Sequence, residues 1–550
     1  MQNAAIYFHR DGFDTRSGRL LGRHSAGESF LRGFIRHADV EDFRFWNVAG
    51  APEADLEQLV HDIAAVDRPL HWIHRYSRQA LSDPGVLNLP MPEIGREAWR
   101  RRIIGSRTYA ICGITHTTAT HRIMDDLGDL IIAPTEDYDA LICTSSAVRQ
   151  SVETQLDAVR DYLTAERGPR RRPEPKRVTI PLGVNTEDFS ITPEHRLAWR
   201  EKLAIPENAV VALYVGRFNV QDKMNPGLMA VALEKAAIAT GKPIYWVNSG
   251  WPESPEAGEI YHRETRALCP SVHYIEVDGR PRDVRFSIWS VADFFISFSD
   301  NIQETFGLTP VEAMAAGLPC VVTDWDGYKD TVRHGEDGFR IPTISPPPGA
   351  GGDLAYNFSN QWIRYQSYVA STAQYTAIDY AEAVAAISVL VLNADYRRQL
   401  GENARRHARR VFDWSAIIPQ YQALWGEQNA RRLAASPDAG PRTNPFRLDP
   451  YTLFGGYPTR HLALGDRLSI PAGTTLEEAQ ALLNSPLAVY GAVGRPTADE
   501  IRRMMFWIRD NDGGAVANLV ADFPASRQPF ISRGVLWLAR LGAISIRPAQ

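Results

Sequence analysis

Two glutamates with seven residues between them, Glu304 and Glu312, stand where a turn changes into an Ala-rich helical pattern, in DNIQETFGLTPVEAMAAGLPCV (300–321). They read two ways. A carboxylate near a helix N-terminus is favoured by the helix dipole and can simply be solvated. Carboxylates also accept hydrogen bonds from vicinal hydroxyls, which a sugar ring and a ribose both present. Three features favour the second reading. The apolar run DFFISFS (293–299) leads directly into the segment, so the loop lies at a strand's C-terminal end, where open α/β sheets bind ligands. Gly307 supplies a turn whose backbone N–H groups point outward at a helix start, which suits phosphate or sugar oxygens. The spacing lets each carboxylate grip one end of a ligand.

A second candidate is basic. Arg217 and Lys223 stand six apart in YVGRFNVQDKMNPG (214–227), a strand, a Gly turn and then a helix. Solvation is the plain reading of two cations in a loop. At the ligand edge of a sheet, an Arg fork and a Lys point charge can instead hold a diphosphate. His116 follows a buried-strand pattern in GITHTTAT (113–120), where a satisfied structural histidine is the plainer reading.

The elements that must position these residues alternate along the chain. Strand patterns occur at 4–9, 43–48, 70–74, 109–114, 140–145 and 177–182, and again at 210–216, 243–249, 272–277, 293–299 and 319–325. Helical patterns such as Ser146–Glu166, Pro226–Thr240 and Asp395–Arg410 lie between or after them. Alternation of this kind predicts parallel sheets covered on both faces. Two series of strands predict two doubly wound domains. The division falls in the Pro-rich, charged stretch ERGPRRRPEPKRV (166–178), whose run Arg170–Arg172 reads as a solvated loop. Residues 343–360 read as a Pro/Gly-rich surface loop, and their GAGG follows no strand and opens no clear helix. The amphipathic helix in VFDWSAIIPQYQALWGEQNARR precedes a linker at 435–445.

The totals bound the class. With 550 residues, about three or four units are expected. A net charge of −5 argues against a nucleic-acid-coating protein. Cys112, Cys143, Cys269 and Cys320 form no CxxC pair and lie near no His at metal spacing, so buried thiols are expected and a metal is not. The first residues lack the apolar stretch of a signal peptide, and no run reaches a membrane-spanning length, so a soluble cytoplasmic protein is expected.

The stretch ETFGLTPVEAMAAGLPCVVTD resembles the hallmark of the retaining nucleotide-sugar glycosyltransferases of family 4. Five further stretches are similar to that family in the same order: IPLGVNTEDF (180–189), VGRF with DK, IWSVADFFISFSD, DGYKDTVRHGEDGFRIP (326–342) and VFDWSAIIPQYQALW. The resemblance covers about residues 105–430 and is most specific over 177–342. It implies an α/β chain of GT-B fold, two facing Rossmann-like domains with the site in the cleft between them. The implied domains are 1–180, 181–410 and a crossing helix at 411–434 that packs back on the first, with 435–550 outside the resemblance. It implies that Glu304 binds the donor sugar's hydroxyls and Glu312 the ribose diol. The amides of Phe306, Gly307 and Leu308 would line sugar and phosphates. Arg217 and Lys223 would neutralise the diphosphate, and His116 would stand near the donor sugar's reacting face. The family retains anomeric configuration without a divalent metal. The expected activity is therefore hexose transfer from a nucleoside diphosphate sugar, a co-substrate rather than a cofactor, to a saccharide, lipid-linked glycan or other hydroxyl acceptor. The alternatives are a phosphorylase or sugar-nucleotide epimerase on the same fold, or a non-catalytic binding protein.

Departures from the family pattern concern the acceptor. The opening loop, HRDGFDTRSGRLLGRHSAGESFLRGF (9–34), is long and basic; Gly27 of Ala26-Gly27 is the nearest counterpart of the family's usual Gly-Gly turn, which touches phosphate and acceptor, and the resemblance implies that Gly27 is a donor-binding residue. Arg16, Arg19 and Arg23 are candidates to meet an anionic acceptor, or are solvated. Trp99 with Arg100–Arg102 is a candidate contact to an anionic membrane surface, or a plain basic helix. At the C-terminus, Thr497–Arg509, 513–524 and 531–542 read as helices and 543–547 as a strand, a winged-helix-like module. Its stretch 526–540 carries only Arg527, Arg533 and Arg540 amid apolar residues, which favours packing or self-association through 441–550 over reading nucleic acid.

Overall fold

The computed structural model describes residues 2–14, 22–168, 173–437, 442–475, 477–478, 481, 484–491, 493–540 and 542–549. Arg16, Arg19 and Arg170–Arg172 lie outside the described residues, as does the side chain of Arg23. Two compact units divide the chain, Met1–Asn444 and Pro445–Gln550.

The first unit holds two parallel sheets. One is built from Ala5–Phe8 (β1), Phe43–Asn47 (β2), Leu70–His74 (β3), Val86–Asn88 (β4), Ala110–Ile114 (β5), Ala140–Cys143 (β6) and Lys176–Thr179 (β7). Its order is β3-β2-β1-β4-β5-β6-β7, with every neighbouring pair parallel. The other comprises Val210–Val215 (β8), Ile244–Gly250 (β9), His273–Asp278 (β10), Phe294–Ser297 (β11), Cys320–Thr323 (β12) and Gly338–Ile341 (β13). Its order is β10-β9-β8-β11-β12-β13, again all parallel. Helices cover both faces, which is why β5, β6, β11 and β12 are buried at every residue and read as continuous apolar runs. This is the α/β architecture of two Rossmann-like halves expected of a GT-B chain. All four cysteines are buried.

Local chemistry sets the element ends. Ser145 caps the helix Ser146–Arg167 by accepting from the Val148 amide, and Asn225 caps Pro226–Thr240 with Pro226 in its first turn. The helix Trp414–Ala434 packs into the core of the first sheet through Trp414, Ile417, Ile418, Tyr421 and Trp425. Its anchor is Trp414, whose indole N–H donates to Ser29 Oγ at 2.8 Å. Gly33 and Gly183 make room for that ring, since a Cβ at either would fall 2.3 or 2.5 Å from it.

Every expected strand forms, and two more, β4 and β13, join the parallel sheets. β4 has three residues between prolines, too short to show a period, and β13 follows the turn at Gly335. Residues 343–360 are not simply a surface loop. Thr343–Ile344 pairs antiparallel with Ala377–Ile378, and the GAGG does open a helix, Gly352–Ser359. Its Phe358 ring stacks on His121 of the first half at 3.7 Å. The basic face expected at Arg100–Arg102 also fails in the middle. Arg101 is fully buried and holds the Asp139 carboxylate with both terminal nitrogens, at 2.6 and 2.8 Å.

The second unit is small. Arg467–Ser469 pairs antiparallel with Gly514–Ala515 on one side and Ser545–Arg547 on the other. Helices Ala498–Asp510, Val516–Ala521 and Gln528–Arg540 enclose a core that includes Leu468, Met504, Ile508, Leu519 and Val535. The expected three helices and closing strand are present, joined by two further short strands. Arg527 is tied to Glu500 at 2.7 Å in both contacts. No helix among the described residues is long and apolar enough to cross a membrane.

Candidate functional site

In the second sheet β8 and β11 are neighbours, and the strand order reverses between them. Chains leaving such a pair diverge to opposite faces and open a crevice at the strands' carboxyl ends. The loop after β8 carries Arg217 and Lys223; the loop after β11 carries Glu304. The structure brings these loops together. Lys223 Nζ lies 2.8 Å from Glu304 Oε2. Arg217 Nη1 lies 3.3 Å from Asp222 Oδ1, which orients the guanidinium from its own loop. Neutral groups fix both loops. The Asn219 side chain accepts from the amides of Gln221 and Asp222, at 2.8 and 3.0 Å. Gln303 Nε2 donates to the Asp222 carbonyl at 2.8 Å, and Asn301 Nδ2 donates to the Lys223 carbonyl.

Glu304 runs into a helix start. Gly307 is the N-cap of Leu308–Ala316, with φ +85°. Only glycine fits: besides that conformation, a Cβ would meet the Tyr328 ring at 2.1 Å. Phe306 is buried, and the amides of Gly307 and Leu308 fall among the unpaired donors of the first helical turn. Glu312 sits one turn further along the same helix, half-buried. The two glutamates therefore lie in different fields. Burial pushes the Glu304 carboxyl up, but Lys223 and the amides of Thr305 and Phe306 outweigh it and hold it below its ordinary value. For Glu312 burial wins over the charges of Arg285 and Lys223, and its pKa is pushed up to about 7.

His116 follows β5, in the first half, and reaches the same place through its backbone. Thr305 Oγ1 donates to the His116 carbonyl at 2.8 Å, and Thr144 Oγ1 donates to the Thr305 carbonyl at 3.3 Å. Burial pushes the imidazole down to about 4, so it is neutral near pH 7. Gly27 lies elsewhere in the first half. A Cβ there would be 2.0 Å from the Gly12 carbonyl oxygen, so Gly27 locks its helix against the loop after β1. Gly27 and His116 both line a cavity of about 460 Å³ that does not include Arg217, Lys223, Glu304 or Glu312. The predicted residues thus form a charged group in the second half and a cavity in the first, joined at Thr305 and His116.

Several residues escape a reading of the sequence. Asp222 is adjacent to Lys223 in the chain, and the fold of that loop brings it to Arg217. Asp326 has no local signal. It takes φ +43° and is pushed up to about 8 by burial and by the Glu304 charge; Ser145 Oγ lies 3.4 Å from its Oδ1. Asp300, also buried, is pushed up to about 7 by burial and accepts from the Asn225 amide at 3.4 Å. Asp330 accepts from Ser146 Oγ at 2.7 Å and from the Ser146 amide, a second tie between the halves.

Comparison with known proteins bears on this arrangement. A putative glycosyltransferase, EpsD, from Bacillus subtilis (strain 168) is 29% identical over 161 residues, 29% of this chain and 40% of that protein. A D-inositol 3-phosphate glycosyltransferase from Geodermatophilus obscurus is 26% identical over 312 residues, 53% of this chain and 58% of that one. The chain spans about half the length of the curated relatives it matches. Among solved structures, Anabaena HepE in complex with UDP and glucose covers 79% of this chain and 100% of its own, with a TM-score of 0.48 and 16% identity. Residues 195–346, which carry Arg217, Lys223, Glu304 and Glu312, match the family model described as glycosyl transferases group 1.

Proposed function

We propose that the chain is a retaining glycosyltransferase that moves a hexose from a nucleoside diphosphate sugar to a hydroxyl acceptor. The observation that carries this reading is the Lys223–Glu304 pair at the reversal between β8 and β11, 2.8 Å apart and next to a glycine-capped helix start. A cation, a carboxylate and free amides at one crevice suit a ligand with a diphosphate joined to a polyol. The Lys223 ammonium carries three donors, and Glu304 takes one. Arg217 and the amides of Gly307 and Leu308 supply further donors for the phosphates. Glu304 takes the sugar's hydroxyls and Glu312 the ribose diol.

Transfer breaks the bond between the anomeric carbon and the phosphate oxygen, and the electron pair stays on the diphosphate. Arg217, Lys223 and the helix-start amides stabilise that charge, which is fixed before the reaction begins. The acceptor oxygen bonds to the anomeric carbon from the same face, and its proton passes to the leaving phosphate oxygen. His116 stays neutral and places a ring nitrogen at the sugar without adding a charge that would compete for the diphosphate. The chemistry needs no divalent metal in this scheme, because Arg217 and Lys223 do its work. Glu304 is held below its ordinary value by Lys223 and two amides, a poor setting for the proton-donating acid of a two-carboxylate glycosidase.

The test is transfer and hydrolysis across a panel of nucleotide sugars, with and without chelator, using Glu304→Ala and Lys223→Ala as controls. The reading requires activity in chelator and its loss in both variants. If no nucleotide sugar binds by calorimetry, it is wrong. Dependence on free orthophosphate would point to a phosphorylase, and turnover without acceptor to an epimerase. Self-association through 441–550 belongs to the same proposal; the exposed Tyr451, Leu453, Phe454 and Tyr457 support it, and sedimentation of the full chain tests it.

A further inference from the structure

The first sheet has its own reversal, between β1 and β4. The cavity of about 460 Å³ lies at their carboxyl ends, lined by His9 and Gly12 after β1 and by Asn88, Pro90 and Met91 at the end of β4. That size falls within the roughly 300–1,000 Å³ of small-molecule sites. Rings dominate its walls: Tyr7, Phe13, Phe30, Trp414 and Tyr421 all line it. Among the described residues, the charged side chains that line it have neighbours of opposite sign or a histidine close by. Arg122 is held by Glu93 and lies 3.7 Å from Asp126, and His9 lies 3.8 Å from Asp11.

Asn88 differs from these. It lines the cavity and is only 6% exposed, so its polar group lies among apolar walls. An amide at the wall of such a cavity can donate to or accept from one polar group on a ligand. An apolar, ring-walled cavity with one buried amide at its wall suits an uncharged molecule with a flat apolar body and a single polar group.

We propose that this cavity takes the acceptor and that the acceptor is an uncharged, ring-bearing alcohol or phenol. The aromatic walls cover its body, and Asn88 bonds a polar group on it. The reacting hydroxyl faces His116, which lines the same cavity and adjoins the donor side through Thr305. The reaction rests on the transferase reading above; the binding does not. In that reaction the acceptor's oxygen gains the anomeric carbon, the anomeric carbon–phosphate oxygen bond breaks, and the hydroxyl proton goes to the diphosphate.

The probe is 2-naphthol, neutral at pH 7.5 and fluorescent, titrated into the full chain and then offered as acceptor with the donor found by the panel. The proposal expects saturable binding and a glycosylated product. Asn88→Leu, close in volume, should weaken naphthol binding about tenfold while melting like wild type. Met91→Arg, which puts a charge into the cavity, should abolish it. Nucleotide-sugar binding by calorimetry should survive in both. Absence of naphthol binding overturns the proposal, as does wild-type naphthol affinity in both variants. So does preferred transfer to a phosphorylated polyol. If wild type binds naphthol but no nucleotide sugar, the cavity assignment stands and the transferase reading falls.

Discussion

The two sheets reverse their strand order in the same way, each beside its first strand, yet the two crevices hold opposite chemistry. Between β8 and β11 stand Lys223, Glu304 and a glycine-capped helix start. Between β1 and β4 stand aromatic rings, paired ions and one buried amide. The backbone device is shared, so the difference lies wholly in the side chains and glycines of the loops that leave each pair of strands. A parallel sheet supplies a place for a ligand. What enters is decided by what the loops present: a Lys–Glu pair beside a helix start after β8 and β11, and aromatic rings after β1 and β4.

That contrast is most exposed to a charge deletion on each side. Lys223→Ala removes a cation from the leaving group and strands Glu304 without its partner, and should lower kcat/KM by about 10²–10³-fold. Arg122→Ala, at the cavity, removes a cation that is 61% exposed and already committed to Glu93. Its cost should stay below about tenfold, because exposed pairs contribute little. Steady-state kinetics on both variants decides the matter. Equal losses would erase the distinction between a charged and an apolar crevice.

A methyl group tests the backbone on each side. Gly27→Ala forces a Cβ to within 2.0 Å of the Gly12 carbonyl oxygen, and Gly307→Ala meets both φ +85° and the Tyr328 ring. Each should cost about 1–3 kcal/mol of stability, measured by denaturant unfolding. Each should also damage only its own ligand: nucleotide sugar for Gly307, acceptor for Gly27. Loss of nucleotide binding in Gly27→Ala would show that the two crevices are one site.

How far the sequence could be read follows the same contrast. The crevice between β8 and β11 was legible because its residues come in contiguous stretches. A strand, a glycine turn and a charged pair recur after β8 and β11, and Arg217, Lys223, Glu304 and Glu312 could be named from two short segments. The first half's cavity was not legible, because its lining comes from β1, β4, β5 and three helices far apart in the chain. Asn88 ends a three-residue strand with no period to announce it. The run Arg100–Arg102 misled for a related reason. Helical geometry turns Arg101 inward on to Asp139 while Arg100 stays exposed, and three like letters in a row do not show that. The insertion at 343–360 looked like solvent loop because Pro and Gly dominate it. Its helix is held by the stacking of Phe358 on His121, a partner more than two hundred residues away.

Glu312 sharpens the comparison through pH. Its pKa is pushed up to about 7 by burial. A carboxylate must be ionised to accept from both hydroxyls of a ribose. The ionised fraction rises from about a tenth at pH 6 to about nine tenths at pH 8, so nucleotide affinity should tighten by up to about ninefold over that range. Stability moves the other way. Between the unfolded value near 4.5 and the folded value of about 7, the folded chain binds more protons than the unfolded one, so stability falls as pH rises through that window. Asp300 and Asp326 shift in the same direction, so Glu312→Gln should flatten this slope without abolishing it. Calorimetry and thermal melts at four or five pH values measure the affinity and the stability.

The smallest expected effect concerns the join between the crevices. Thr305 Oγ1 donates to the His116 carbonyl at 2.8 Å, linking the loop after β11 to the loop after β5. Thr305→Val keeps the shape and removes that bond. A bond of this kind contributes about 1 kcal/mol net, so transfer should slow about fivefold. The way it slows is the informative part. If the bond only stabilises the fold, the melting temperature drops and the kinetics of the remaining folded chain are unchanged. If it sets the distance between acceptor and anomeric carbon, kcat falls while donor and acceptor affinities both hold, because each ligand still sits in its own crevice and only their mutual approach is loosened. Single-turnover rates with both ligands saturating separate these outcomes, and only the second makes the two crevices halves of one reaction site.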